Sequence, residues 1–139
     1  MTGQGNVLFV CVENAGRSQM AEAFARRAGL QALSAGTLPS SRLNAEVVLA
    51  MSEKGIDISA GRPKMLTPEM IDAAEVVVTM GCSVEDVCPA PMLRSMKKKL
   101  VEWHLDDPKG KDPAAVRAIR DEIEHLVGTL SSDIGSAPS

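Results

Sequence analysis

Aromatic side chains are scarce in this chain: one Trp, two Phe and no Tyr among 139 residues. A mouth built to stack a planar ring has little to be made from. Positive charge is not in surplus either. Fifteen Lys and Arg stand against 18 Asp and Glu, a net charge of −3, and this lacks the basic footprint of a nucleic-acid binder. No apolar run is long enough to span a bilayer, and Met1 to Gly5 is too short and too polar for a signal peptide. A cytoplasmic protein with no membrane partner is expected. With 2 His and 3 Cys the chain is short of ligands for a structural zinc site, so no metal and no bound cofactor are expected.

What is present is the pattern of a small α/β protein. Hydrophobic residues make up 45% and charged residues 24%, and the length suits one domain over 1–139 with a polar, flexible tail from about 132. Asn6 to Val10 reads as a buried strand and Ser18 to Gly29 as a helix stopped by Gly29. Gln31 to Ala35 reads as a second strand. Asn44 caps a helix running to about Lys54 and closed by Gly55. Residues 56–65 read as irregular. Thr67-Pro68-Glu69 opens a short helix. Val76 to Val78 lie in a third strand and Lys99 to Trp103 form a fourth. Asp112 and Pro113 open a last helix with an apolar stripe of Val116, Ile119, Ile123, Leu126 and Leu130. Alternating strands and helices predict a parallel sheet with helices on both faces, whose ligands bind beyond the carboxyl ends of the strands.

The richest segment is Cys11-Val12-Glu13-Asn14-Ala15-Gly16-Arg17-Ser18, a Cys, five residues, then Arg-Ser between a strand and a helix. Backbone N–H groups at such a turn converge on a tetrahedral oxyanion. Arg17 adds a planar fork for two anion oxygens. The same donors stabilise a thiolate, so Cys11 is predicted to be a nucleophile at the floor of the cradle.

Cys82 and Asp107, like Cys11, lie just past strand ends that converge on the same rim. Cys82 and Cys88 flank a polar, acidic segment followed by Pro89 and Pro91. They read either as two small buried hydrophobes or as a redox pair able to exchange disulfides with Cys11. Asp106-Asp107-Pro108 reads either as a surface turn or as the seat of a general acid, Asp107, with Asp106 supporting the loop. His104 reads as loop packing, His125 as surface, and Lys97 to Lys99 as a solvated strand entrance.

Together these motifs resemble the thioredoxin-coupled arsenate reductases that share their fold with low-molecular-weight protein tyrosine phosphatases. The residues that carry the resemblance are the strand Val7 to Cys11, the stretch Asn14 to Glu22, Ser34-Ala35-Gly36, Val77 to Cys82, Cys88-Pro89 and Trp103 with Asp106-Asp107-Pro108. The resemblance implies a four-stranded parallel sheet in the order 2-1-3-4. It implies that Cys11 attacks arsenate held by Arg17, Ser18 and the Val12 to Gly16 loop, with Asp107 assisting the loss of water. Cys82 then attacks Cys11, giving a transient Cys11–Cys82 disulfide and arsenite. Cys88 attacks Cys82, and thioredoxin or another dithiol protein reduces the Cys82–Cys88 disulfide. Phosphate and sulfate would compete, and a monomer is expected. Ser18 would hydrogen-bond the Cys11 sulfur, and Asn14 would hold the loop backbone.

Three departures stand out. Gly16 takes a place where some relatives carry a further Cys. Glu13 takes a place often held by Gly and is expected to face solvent. Asn14, Glu22 and Ser34 match three ligands of a potassium site found in some relatives, but Lys64 stands at the fourth position, so its ammonium is expected to substitute for the metal and pair with Glu22. The alternative activity is a phosphatase working through a Cys11 phosphoenzyme. It leaves Cys82 and Cys88 unexplained and has few aromatics for a phenyl ring.

Overall fold

The computed structural model describes residues 6–80, 100–106 and 108–135. Its four strands are β1 (Asn6–Cys11), β2 (Gln31–Gly36), β3 (Val76–Met80) and β4 (Leu100–Trp103). They form one parallel sheet in the order β2-β1-β3-β4. The described helices are α1 (Arg17–Arg27), α2 (Ala45–Ser52), α3 (Pro68–Ala73) and α4 (Pro113–Gly135). Fold class and strand order agree with the expectation from the sequence.

The strand order positions the site. β1 is followed in the chain by β2 on one side and lies against β3 on the other, with Cys11 opposite Gly36 and Val10 opposite Thr79. The strand order reverses between β1 and β3, and the crevice at the carboxyl ends of such a pair is where ligands bind in these sheets. Cys11 stands at that point.

Alternation along β1 feeds two cores. Val7, Phe9 and Cys11 join Val78 and Met80 beneath α1, α2 and α4. Leu8 and Val10 join Val77, Ala35, Leu66 and Ile71 on the face covered by α3. Each fully buried side chain of this size contributes about 1.5–3 kcal/mol. All three aromatics serve the larger core: Phe9 and Phe24 are buried in it, and the Trp103 ring lies 5.8 Å from that of Phe9.

Local signals set most helix ends. The Asn44 side chain accepts from the N–H groups of Glu46 and Val47, that of Thr67 from Met70, and that of Asp112 from Ala115. Gly29 and Gly55 follow α1 and α2 at φ 96° and 78°, a region open to glycine at little cost.

Two expectations change in α4. The helix runs on to Gly135, into the segment read as a polar tail. Ser131, Ser132 and Asp133 are polar but do not break a helix, and the first residue of that segment with a strong breaking tendency is Gly135 itself. The buried stripe is Val116, Ile119, Ile123 and Val127, while Leu126 and Leu130 lie at its margin. Among the described residues no helix is long and apolar enough to cross a membrane.

Candidate active site

The loop from Cys11 to Arg17 turns its carbonyl groups away from its own centre. Val12 O accepts from Leu38 N at 2.9 Å, Glu13 O from Ser40 N at 3.0 Å and Ala15 O from Asn44 N at 2.9 Å. Asn14 O accepts from Gln19 Nε2 at 3.2 Å and Gly16 O from Met20 N at 3.0 Å. Carbonyls engaged on the outside turn the N–H side of the peptides toward the cavity, which is the arrangement that binds an oxyanion. Helix α1 begins there with no side-chain cap at Gly16 and no acidic residue in its first turn, so its positive end adds to the cradle.

Cys11 is buried, and two donors converge on its sulfur. Asn14 N lies 3.2 Å from Sγ and Ser18 Oγ lies 2.9 Å from it. Asn14 Nδ2 donates to Ser18 Oγ at 2.7 Å, which leaves the hydroxyl proton available to donate to a Cys11 thiolate. Both bonds stabilise negative charge on Sγ.

Asn14 is the hub of the loop. It is fully buried, and at φ 52° it is the one described non-glycine residue with positive φ. That conformation costs an ordinary residue about 1–2 kcal/mol, and Asn tolerates it best. Its Oδ1 accepts from Lys64 N at 2.8 Å and from Gln19 Nε2 at 3.0 Å. Gln19 also donates to Arg62 O at 3.1 Å, so the 62–64 segment straps the loop from behind.

The cavity over Cys11 has a volume of about 450 Å³. The loop residues Cys11, Val12, Glu13, Ala15, Gly16 and Arg17 form one side, and Ser40, Arg42, Leu43, Asn44, Pro108 and Lys109 form the other. Among the described residues no aromatic side chain lines it. Arg17 is buried and donates from Nη1 to Leu105 O at 3.1 Å, which fixes the guanidinium at the cavity wall.

Behind the loop, the Glu22 carboxylate is well supplied with donors. Ser34 Oγ donates to Oε1 at 2.5 Å, Arg26 Nη2 lies 2.8 Å from Oε2, and Lys64 Nζ lies 3.6 Å from Oε1. Lys64 therefore makes the ion pair with Glu22 that the sequence suggests, and its backbone N–H also anchors Asn14.

Other expected residues fall differently. Glu13 does not simply face solvent: its Oε2 lies 3.1 Å from Lys109 Nζ. A carboxylate beside an anion cavity is held by the nearest cation across the mouth. His104 is exposed rather than packed, because its neighbour Leu105 fills the core position, and His125 is exposed as expected. Asp106 is exposed. Cys82, Cys88, Asp107 and Lys97 to Lys99 lie outside the described residues. Sequence reasoning missed Gln19, Arg42, Leu105 and Lys109. Gln19 had the only signal, its place directly after Ser18 in the loop motif.

The family model for low molecular weight phosphotyrosine protein phosphatase matches residues 6–137. The chain is 34% identical to the glutaredoxin arsenate reductase of Synechocystis sp., over 92% of this chain and 97% of the relative. A solved thioredoxin-dependent arsenate reductase from Corynebacterium glutamicum is 38% identical, with a TM-score of 0.77 over 96% of this chain and 63% of that one. The arginine phosphatase of Geobacillus stearothermophilus is 28% identical, with a TM-score of 0.82 over 95% and 94%.

Proposed function

The chain belongs to the low-molecular-weight phosphotyrosine protein phosphatase family, and from that premise we propose that it is an arsenate reductase recycled by a dithiol protein. One observation carries the reading: the Cys11 sulfur, hydrogen-bonded by Ser18 and Asn14, lies at the floor of an anion cradle whose mouth has no aromatic wall.

On this reading the Cys11 thiolate attacks arsenate held by the loop N–H groups and Arg17. An S–As bond forms, and one arsenate oxygen leaves as water with a proton from Asp107. The Cys82 thiolate then attacks the Cys11 sulfur. The S–As bond breaks, its electron pair stays on arsenic, and As(V) leaves as As(III). Cys88 attacks Cys82, frees Cys11 as a thiolate and leaves a Cys82–Cys88 disulfide. Thioredoxin supplies the two electrons that reopen it. The names of the Corynebacterium and Synechocystis relatives support a redoxin in that role, of the thioredoxin or the glutaredoxin kind. Free working thiols suit the cytoplasm, and the enzyme acts as a monomer with no bound cofactor.

The structural likeness to an arginine phosphatase favours a second reading, hydrolysis of a phosphomonoester or phosphoramidate through a Cys11 phosphoenzyme. The cradle alone does not separate phosphate from arsenate, because the two anions share charge and shape. The test is arsenate turnover with thioredoxin, its reductase and NADPH, beside hydrolysis of para-nitrophenyl phosphate. Arsenate-dependent NADPH oxidation is expected, lost in Cys11→Ser. Phosphate release without any arsenate reduction would establish the phosphatase instead.

A further inference from the structure

Three contacts join the anion loop to Leu105, Pro108 and Lys109. Arg17 Nη1 donates to Leu105 O at 3.1 Å. Gly16 lies against Pro108 so closely that a Cβ on Gly16 would stand 3.0 Å from Pro108 Cγ. Glu13 Oε2 meets Lys109 Nζ at 3.1 Å, between residues 96 positions apart in the chain. The first two contacts use groups needed for anion binding or for loop geometry. The third links two side chains that line the cavity. The Glu13 backbone is itself held by the bond from Ser40 N, so the side chain starts from a fixed point on the loop.

We propose that the Glu13–Lys109 ion pair is a positioning latch that holds Pro108 and Lys109 against the anion loop during the first chemical step. The inference rests on the proposed reading of Cys11 as nucleophile. A carboxylate at the mouth of an anion site is a liability by charge, since it repels the incoming dianion. Geometry gives it a use: it fixes Pro108 and Lys109 opposite the loop, and alignment of reacting groups is worth rate. The two side chains are 42% and 69% exposed, so the pair is worth little to folding, and its effect is expected in rate rather than stability.

The sign of the response separates a latch from simple charge screening. Single-turnover arsenate consumption without reductant is measured for wild type, Glu13→Gln, Lys109→Gln and the swapped pair Glu13→Lys with Lys109→Glu. A latch slows both neutral variants by about two- to fivefold, the range of an exposed ion pair, and the swap restores the rate to within about twofold. Inhibition by inorganic phosphate, which reads charge alone, moves in opposite directions: tighter for Glu13→Gln and weaker for Lys109→Gln. Rates that follow phosphate affinity, faster in Glu13→Gln and slower in Lys109→Gln, would overturn the latch, and so would unchanged rates. Asp107→Asn serves as the control. Full speed in that variant sinks the acid assignment and leaves the latch standing. If wild type consumes no arsenate, the reductase reading fails, and the same sign comparison is made on para-nitrophenyl phosphate hydrolysis.

Discussion

Gly36 passes so close beneath the anion loop that a Cβ there would stand 2.4 Å from the carbonyl oxygen of Val12 and 3.0 Å from Asn14 N. Both obstacles are backbone, and both belong to the cradle. The glycine is held in place by its own bonds, Gly36 N to Lys64 O and Leu66 N to Gly36 O, each 2.8 Å. Neither side can yield without moving the loop. Gly36→Ala is therefore expected to cost about 1–3 kcal/mol of stability, as overpacking does. It should also lower turnover by more than about tenfold, because a misplaced loop misaligns the nucleophile. Urea midpoints and arsenate turnover check both, and wild-type behaviour in the two assays would show that the close approach is not needed.

The Glu22 carboxylate leads to a prediction about ions. It is already met by Ser34, Arg26 and Lys64, and we propose that the Lys64 ammonium takes the place that the family resemblance gives to a potassium ion. Activity of the wild type should be the same in potassium and sodium chloride of equal strength. Lys64→Gln should slow turnover by about two- to fivefold, the scale of a partly exposed ion pair. A steep rise in wild-type activity with potassium would refute the substitution.

Legibility of the fold and the site followed the range of the interactions. Helix starts at Asn44, Thr67 and Asp112 were readable because a cap acts within three residues. Cys11, Arg17 and Ser18 were readable because one short loop carries the whole cradle. The Glu13–Lys109 pair was not, since nothing in either neighbourhood points to the other. Gln19 was visible as part of a motif, but its role depends on the 62–64 segment reaching the back of the loop. Gly36 was visible within the Ser34-Ala35-Gly36 motif, but its close approach to the Val12 carbonyl and Asn14 N was not. Val127 displaced Leu126 from the buried stripe because the facing contour of α1 and α2 decides which of two adjacent apolar residues turns inward.

Away from the site, Glu53 gives a dependence on pH. Its carboxyl is held below the ordinary value of 4.5, chiefly by the hydrogen bonds from Arg117; burial opposes this, and the hydrogen bond from Arg120 adds a lesser lowering. Arg117 Nε and Nη2 and Arg120 Nη1 lie 2.8–2.9 Å from its oxygens and tie α2 to α4. A lowered folded-state value means that the contribution to stability is fully present above 4.5 and is lost as pH falls through the folded value. Glu53→Gln should thus be less stable than wild type at pH 7, and the gap should close on acidification. Denaturant midpoints from pH 7 to pH 3 measure it. A gap that stays constant over that range would mean that the carboxylate charge does not matter to the clasp.

The relay makes the sharpest demand. If electrons pass from Cys82 to Cys11 and then from Cys88 to Cys82, removing the last thiol must leave the first exchange intact. Cys88→Ser should release about one equivalent of arsenite per enzyme and then stop, since thioredoxin meets no Cys82–Cys88 bond. Mass spectrometry of the stalled protein should find Cys11 joined to Cys82, two hydrogens lighter than the reduced chain. Cys82→Ser should release none and retain the arsenate adduct or return it to water. The two variants respond differently only if the thiols act in that order, because a general loss of loop structure would silence both alike. Full steady-state turnover in Cys88→Ser would remove Cys88 from the sequence of exchanges and require the reductant to attack the Cys11–Cys82 bond directly.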